Sequence, residues 1–358
     1  MGPVPRVGLS SGHRGAPPVP AVTVIVPAFN EASTIAATLR SLQHQSLPPA
    51  AIIVVDDCSD DGTGAAAAAS GATVVRPPAN TGSKAGAQTY GLRFVTTDLV
   101  VAVDADTTLA PEALERLLPA FGDPAVAAAC GFVLPRHVSS IWERGRYIEY
   151  LFAFSFYKQV QDYYGKPIIA SGCFSMYRTA VLRASGGWST RTLAEDMDLT
   201  WTVNQAGHGV RFVPEAICYP SEPHAYGNLR AQLRRWSHGF VQNVRIHWHG
   251  LLNVPYLRSA VAVTLWDASV ASVVFLFALP LLAVLLANPW PLLGYLIDAP
   301  AVMIPVLAAA WRRGETGKAL ASLPAFFVLR TVNAVFFVRA LWLELIMDRR
   351  LLVYEKGH

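Results

Sequence analysis

The fold is decided by a short apolar run that ends in two carboxylates, Leu99-Val100-Val101-Ala102-Val103-Asp104-Ala105-Asp106. Three similar apolar runs precede it, over residues 22–27, 52–55 and 73–75, and segments of helical length separate them. Strands that alternate with helices and are apolar along their whole length indicate a mostly parallel sheet with helices on both faces. We therefore expect an α/β fold over residues 21–250.

The composition predicts a second region that meets the membrane. Of 358 residues, 53% are hydrophobic and 15% are charged, whereas soluble proteins have about 25% charged residues. The excess lies in three apolar runs, residues 261–287, 289–311 and 319–347. Each has the roughly 20 residues needed to cross a bilayer, and such runs rarely form a helical hairpin inside a soluble domain. We expect two to three transmembrane or interfacial helices within residues 251–358.

The third apolar run differs from the first two because it contains Arg330, Arg339 and Glu344. Charged residues of this kind suit an interfacial helix better than a lipid-facing span. Basic clusters at residues 312–318 and 349–356 both favour the cytosolic side of a membrane. Three full crossings would place these clusters on opposite sides, so we expect that the third run is not a simple span.

The ends and the charge of the chain bear on its location. Residues 1–20 are rich in Pro and Gly and contain no apolar segment, which predicts a disordered leader rather than a signal peptide. The catalytic part is then expected in the cytosol, attached to the cell membrane by several helices. A net charge of +4 suits anionic lipid headgroups and argues against a dedicated nucleic-acid binder.

The four cysteines lack metal-type spacing and are expected to be reduced thiols.

Polar side chains follow three of the predicted strands: Asn30 and Glu31, then Asp57, then Asp104 and Asp106. Ligands of parallel sheets bind beyond the carboxyl ends of the strands. Carboxylates there can hold Mg²⁺ or Mn²⁺ against a diphosphate leaving group. The alternatives are a capped loop for the last pair and a helix cap in the loop after Asp57.

A second acidic pair, Glu195 and Asp196, precedes an amphipathic helix. A transfer to a hydroxyl group needs a general base, and Asp196 is the candidate. The alternative is that the carboxylates stabilise the helix N-terminus, which applies equally to Glu195 and Asp198.

Later in the chain, three residues share one helix face because they are three and four positions apart: Gln232, Arg235 and Trp236. The guanidinium of Arg235 suits a pyrophosphate, and the indole of Trp236 suits a sugar ring. Alone, the group would indicate only a basic interfacial helix bearing a tryptophan.

In this order the motifs resemble the processive branch of glycosyltransferase family 2, which has a GT-A fold and includes the synthases of cellulose, chitin and hyaluronan. The opening segment, residues 26–31, is similar as well. The resemblance covers residues 21–250. It implies that Asp57 binds the base or ribose, Asp104 the nucleotide and Asp106 the Mg²⁺ or Mn²⁺ ion, while Asp196 is the catalytic base.

The resemblance also assigns the remaining candidates. The donor-binding residues that it implies, besides Asp57 and Asp104, are Pro27, Asn30, Glu31, Lys84, Gln232, Arg235 and Trp236. The acceptor-binding residues that it implies are Cys173, Glu195 and, again, Trp236. Two positions depart from the family's common residues, Gln88 where Asn is frequent and Ala194 where Thr is frequent.

The implied function is inverting transfer of a sugar from a nucleotide-sugar, with UDP favoured, to a growing β-linked polysaccharide or to a lipid at the cytosolic face. Single addition to a lipid and a scaffold that binds nucleotide-sugar without catalysis are the alternatives. A nucleotidyltransferase would need neither the 232–236 motif nor the apolar runs. A self-contained export channel is not expected from so few spans, which leaves an export partner or a second copy open.

Overall fold

Eight strands form one mixed sheet in the computed structural model of the protein, which describes residues 20–297 and 299–351. The strands are β1 (Val22–Ala28), β2 (Ala51–Asp56), β3 (Thr73–Val75), β4 (Leu99–Val103), β5 (Thr108–Leu109), β6 (Val126–Val133), β7 (Phe174–Arg178) and β8 (Gly209–Tyr219). Their order in the sheet is β3-β2-β1-β4-β7-β6-β8-β5. The predicted leader, except for Pro20, lies outside the described residues.

Helices cover the sheet and follow it in sequence. They are α1 (Ile35–Gln43), α2 (Thr63–Ala69), α3 (Lys84–Gly91), α4 (Ala113–Leu117), α5 (Ile141–Phe152), α6 (Lys158–Tyr163), α7 (Thr179–Ala184), α8 (Glu195–Gln205), α9 (Tyr226–Leu251), α10 (Pro255–Val273), α11 (Leu279–Leu285), α12 (Ala299–Arg312) and α13 (Thr316–Leu341). Short π-helical segments join α5 to α6 and α10 to α11, and a third one extends α13 to Ile346.

The four predicted strands form the parallel half of the sheet. Strand β1 pairs in parallel with β2 and β4, and β2 pairs in parallel with β3. All seven residues of β1 are buried, as expected for a strand covered on both faces. The carboxyl ends of β1, β2 and β4 therefore meet at one edge of the sheet.

The other half of the sheet is mixed, while the sheet as a whole has more parallel than antiparallel strand pairs, as predicted. Strand β7 runs antiparallel to both β4 and β6, and β8 runs parallel to β6. Because Phe174 at the start of β7 pairs with Val103 at the end of β4, the segment before β7 returns to the carboxyl edge. The α/β class of GT-A type is confirmed.

The three predicted apolar runs form helices long and apolar enough to cross a membrane, Pro255–Leu285, Trp290–Arg312 and Thr316–Ile346. In their most apolar windows, 12% and 24% of the residues of the first two are buried within the protein, against 39% for the third. Lipid is the solvent that suits such exposed apolar helices.

The third apolar helix, α13, packs on helices of the N-terminal part. A Cβ atom on Gly145 of α5 would lie 2.9 Å from Cβ of Leu329 and 3.0 Å from the carbonyl oxygen of Ala325. The missing side chain thus lets α5 and α13 approach closely. Residues Val306 and Leu323 belong to the same hydrophobic core as the sheet. The predicted division near residue 250 is therefore not a packing boundary, and the domain bounds stay a prediction.

Both ends of α13 are bonded to residues that precede the apolar helices. At its start, the Tyr147 hydroxyl donates to the Glu315 carboxylate at 2.9 Å. Beyond its other end, the buried Glu344 carboxylate lies 2.7 Å from Nδ1 of His238 in α9. In between, Phe337 contacts Phe240 of α9. The helix thus lies along the N-terminal part instead of leaving it.

Candidate active site

A cavity of about 610 Å³ opens at the carboxyl edge of the sheet. Its walls come from strand ends, from the segment before β7 and from helices α8 and α9. The predicted site residues that line it are Pro27, Glu31, Asp57, Lys84, Asp104, Asp106, Cys173, Glu195, Asp196, Gln232, Arg235 and Trp236. Side chains more than 200 positions apart in the chain are therefore brought to one place, as the sequence predicts.

Asn30 was predicted to bind the donor but is absent from the described residues that line this cavity. It has a positive φ of 55°, a conformation that Asn tolerates better than most residues. Its backbone N–H donates to Oγ of Ser59, and its Oδ1 accepts from the N–H of Asp60. Asn30 therefore joins the turns that follow β1 and β2.

The two adjacent aspartates at the end of β2 have separate environments. Asp56 accepts hydrogen bonds from Arg76 and from the backbone of Ser59, which closes the turn. Asp57 faces the cavity and accepts two hydrogen bonds of 2.8 Å from Thr81, through its N–H and its hydroxyl. Because a carboxylate has about four acceptor sites, Asp57 keeps capacity for a ligand.

Lys84 lies at the centre of the cavity's charged groups, at the start of α3. The Ser83 side chain caps this helix. The Lys84 ammonium lies 2.5 Å from Oδ1 of Asp104 and 3.6 Å from Oε1 of Glu195, and it donates to the Gly172 carbonyl at 3.1 Å. One cation therefore links the β4 end, helix α8 and the segment before β7.

The candidate base, Asp196, is in the first turn of α8. Its Oδ2 accepts a 2.8 Å hydrogen bond from the N–H of Gly172, and its Oδ1 accepts one from Met197. Burial raises the pKa of the neighbouring Glu195, and the Asp196 charge adds to this, whereas Lys84 opposes it. The pair thus combines a carboxylate held by backbone N–H groups with one that is more basic than usual.

Helix α9 presents Gln232, Arg235 and Trp236 to the cavity, which confirms that they share a face. The charge of Arg235 also opposes the rise in the Glu195 pKa, so this guanidinium acts on the base region as well as on the cavity. The Trp236 side chain is 38% exposed, which leaves a ring face at the cavity wall.

The acidic pair after β4 fits a divalent cation only in part. Among the residues that the structure describes, no group of three His, Cys, Asp or Glu side chains could hold a metal ion. Asp104 and Asp106 both line the cavity and offer the oxygen ligands that Mg²⁺ and Mn²⁺ prefer. An ion held by these two carboxylates would need further oxygens, and a bound diphosphate has them. The residues therefore fit a cation that binds together with its ligand.

Sequence reasoning missed several residues of the cavity. Phe29 is 44% exposed at its wall, although it lies inside the segment 26–31 that was singled out. Tyr150 and Phe154 line another wall, and nothing in their sequence context marks α5 as part of a site. Glu222 is buried there and bonded to Tyr150. Among these four residues, Phe29 alone had a sequence signal for the cavity, because it is an aromatic residue directly after a strand.

Parallel strands that end in Asp57 and in an Asp-x-Asp pair share a cavity with helix α8, which carries Asp196. The chain has a GT-A-type fold, and it is similar to glycosyltransferases. The model of the family described as "Glycosyl transferase family 2" matches residues 23–186, a little under half of the chain.

Curated relatives carry the name poly-beta-1,6-N-acetyl-D-glucosamine synthase. The one from Staphylococcus aureus (strain COL) is 29% identical over 157 residues, which are 44% of this chain and 38% of that protein. The one from Staphylococcus epidermidis is 28% identical over the same length. The match therefore spans less than half the length of these relatives.

A solved structure supports the fold. The mannosyltransferase PcManGT from Pyrobaculum calidifontis, in complex with GDP-Man and Mn²⁺, superposes with a TM-score of 0.60 and 22% identity, over 92% of this chain and 88% of that chain. At this identity the likeness supports the fold alone, and it extends beyond the family 2 domain into the C-terminal helices.

Proposed function

We propose that the protein is a membrane-bound inverting glycosyltransferase that moves a sugar from a nucleotide-sugar onto a growing β-linked glycan. The observation that carries this proposal is the convergence of Asp57, the Asp104–Asp106 pair, Asp196 and the Gln232–Trp236 face on one cavity. The names of the relatives favour an N-acetylhexosamine as the sugar, and the resemblance of the motifs favours UDP as its carrier.

In the proposed reaction the acceptor hydroxyl oxygen attacks the anomeric carbon, and its proton passes to the Asp196 carboxylate. The bond from that carbon to the diphosphate breaks, and the electron pair leaves with the nucleoside diphosphate. Direct displacement inverts the anomeric configuration, so an α-linked donor gives a β-linked product. The N–H of Gly172 orients the carboxylate for this step.

The leaving diphosphate carries negative charge, and the cavity supplies positive charge for it. Lys84 and Arg235 both line the cavity and would contact phosphate oxygens. A divalent cation held by Asp104 and Asp106 would neutralise charge on the same group. Asp57 would accept hydrogen bonds from the base or ribose, since its carboxylate retains acceptor capacity.

A lipid acceptor is the second candidate, because the cavity wall is continuous with the membrane-facing helices. Helix α5 contributes Tyr150 to the cavity and Gly145 to the contact with α13. Transfer to a growing glycan and transfer to a lipid acceptor give different products. The first gives a sugar polymer, and the second gives a sugar that is extracted with organic solvent.

We further propose that the catalytic part faces the cytosol and that only the first two apolar helices cross the membrane. Support comes from the bonds of Glu315 to Tyr147 and of Glu344 to His238. They keep both ends of α13 beside polar helices. The basic residues at 312–318 and 349–356 then lie on one side, as the preference of cytosolic segments for Lys and Arg requires.

Single cysteines placed on a cysteine-free background test this topology. Asn288→Cys lies between the first two apolar helices, Gly317→Cys lies in the first turn of α13, and Arg350→Cys lies beyond its end. We expect a membrane-impermeant maleimide to label residue 288 from outside intact cells and to label 317 and 350 only after lysis. Labelling of residue 350 from outside would show that α13 crosses.

The enzymatic proposal is tested by nucleotide release from a panel of UDP- and GDP-sugars, with Mg²⁺ or Mn²⁺ and membranes that contain the full chain. We expect release from one donor, and a loss of about 10²–10⁴-fold in Asp196→Asn, with binding of the nucleoside diphosphate unchanged within threefold. Asp123→Asn, in an exposed turn, is the control. Full activity of Asp196→Asn would move the base to another residue, and Glu195 would be tested next.

A further inference from the structure

A buried arginine outside the cavity contacts two residues of the cavity-facing helix. Arg146, on α5, is absent from the described residues that line the cavity, and its side chain is 1% exposed. A buried cation is costly unless other groups compensate its charge. Its partners are the carboxylates of Glu149, with which it forms an ion pair, and of Glu222 at 3.8 Å. Burial lowers the pKa of Arg146, but Glu149, Tyr150 and Glu222 together raise it above its usual value.

The first contact fixes the orientation of Gln232. Nη2 of Arg146 donates to Oε1 of Gln232 at 2.9 Å. A guanidinium has donors only, so it selects the amide oxygen and turns the amide nitrogen away. That nitrogen lies 3.4 Å from Oε2 of Glu222. The arginine therefore decides which end of the Gln232 amide reaches each neighbour.

The second contact is with Trp236. The Arg146 guanidinium carbon lies 4.4 Å from the centroid of the indole ring, within the range of a cation–π interaction. Gln232 and Trp236 are one helical turn apart, so a single planar guanidinium reaches both. Trp236 also lines the cavity.

The same network continues to the cavity. The Tyr150 hydroxyl donates to Oε1 of Glu222 at 2.7 Å, and both residues line the cavity. Asn333 of α13 donates to Glu149 at 3.2 Å. The network around Arg146 thus joins α5, α9 and α13 behind the wall against which an acceptor would rest.

We infer that Arg146 is a positioning residue, which sets the orientation of Gln232 and Trp236 for transfer without touching either substrate. This inference rests on the proposed function. Lysine would retain the charge but not the planar fork that reaches two partners at once. For Arg146→Lys we therefore expect a kcat at least tenfold lower, with binding of UDP changed by less than threefold, because Asp57, Asp104 and Asp106 make no contact with Arg146.

A double-mutant cycle on the full chain in detergent tests the inference. The variants are Arg146→Lys, Trp236→Leu and the two combined, with transfer followed for the donor that wild type uses. If Arg146 acts through its partners, its replacement should lower kcat at least tenfold in the wild-type background and by a factor at least three times smaller beside Trp236→Leu, where only the contact with Gln232 remains. Arg178→Lys is the matched control, because Arg178 also stacks on a ring, Phe121, and bonds to carbonyls far from the cavity.

The outcomes separate the two proposals. If wild type is active and Arg146→Lys lowers kcat by the same factor in both backgrounds, the positioning role is overturned. A wild type that transfers no sugar from any donor overturns the proposed function instead. If Arg146→Lys does not fold, Trp236→Phe and Trp236→Leu test the same contact from its other side. Phe, which keeps a ring for the cation, should retain at least three times the kcat of Leu, and equal kcat values would overturn the inference.

Discussion

The backbone N–H of Gly172 donates a 2.8 Å hydrogen bond to Oδ2 of Asp196. This bond joins the segment before β7 to the first turn of α8, and the Gly172 carbonyl accepts from Lys84 on its other side. The peptide groups at Gly172 therefore hold the candidate base and the central cation in place. The absence of a side chain at this position permits the arrangement.

Replacing Gly172 by Ala should disturb the base. The added Cβ would lie 2.8 Å from Oδ2 of Asp196 and 3.2 Å from Nζ of Lys84, so both groups must move. Because misplacement by about 1 Å can cost 10²-fold in rate, we expect transfer to fall at least tenfold. Gly122→Ala, where nothing lies within 4 Å of the new atom, is the control in the same nucleotide-release assay. Equal rates for the two variants would contradict the role of Gly172.

Replacing Asp106 by Asn should weaken the link between metal and nucleotide. Asn offers one neutral oxygen where the carboxylate offers two charged ones. We expect the Mn²⁺-dependent increase in UDP affinity, measured by titration calorimetry with and without chelator, to fall at least tenfold. Asp123→Asn should behave as wild type. The same metal dependence in Asp106→Asn as in wild type would place the ion elsewhere.

The start of α5 should make stability depend on pH. Burial alone would raise the pKa of Glu143, but hydrogen bonds from Ser139 and Ser140 lower it to about 2 from 4.5. A lowered pKa contributes stability above the unfolded value, and this stability is lost as pH falls from about 4.5 toward 2. At roughly 1.4 kcal/mol per unit, the contribution is at most about 3.5 kcal/mol.

We therefore expect Glu143→Gln to lower the unfolding midpoint by a constant amount from pH 8 to about 5.5, and by less at pH 4 and below. Thermal unfolding in detergent over this range measures the difference. Glu112→Gln, in an exposed ion pair, should change the midpoint little at any pH. A difference in unfolding midpoint between wild type and Glu143→Gln that grows as the pH falls would contradict the lowered pKa of Glu143.

The far end of α13 should depend on one buried carboxylate. Glu344 is 1% exposed and is bonded to both His238 and Gln242. Removing it leaves two buried polar groups without this partner, which costs on the order of 1–3 kcal/mol. We expect Glu344→Ala to lower the unfolding midpoint by several degrees. Leu345→Ala changes an exposed neighbour and should have little effect; equal shifts would show that α13 is held by other contacts.

The sequence predicted the parallel half of the fold because its signals are local. Strands such as β4, Leu99–Val103, are uninterrupted apolar runs, and their bounds agree with the prediction. The antiparallel strand β7 is short, and its direction follows from pairing with Val103, 71 positions earlier along the chain. Such a pairing leaves no periodic pattern, so the mixed half of the sheet had to come from the structure.

The charged residues of the site could be predicted because each lies in a short motif with its own spacing. The residues that position these charged side chains could not be predicted from the sequence. Arg146 meets Gln232 across 86 positions, and nothing around Arg146 in the sequence distinguishes it from a solvent-facing arginine of an amphipathic helix. For Asn30 the predicted donor contact stays a prediction, while its hydrogen bonds join the turns after β1 and β2.

Helix α9 has consequences for anyone who wishes to prepare the catalytic part alone. Its middle lines the cavity, its last residue lies four positions before the first apolar helix, and α13 covers Leu229 and Leu233 on its side. A truncation after residue 251 would uncover those leucines and remove the partners of His238. Detergent or nanodisc preparations of the full chain are accordingly the material in which its chemistry should be measured.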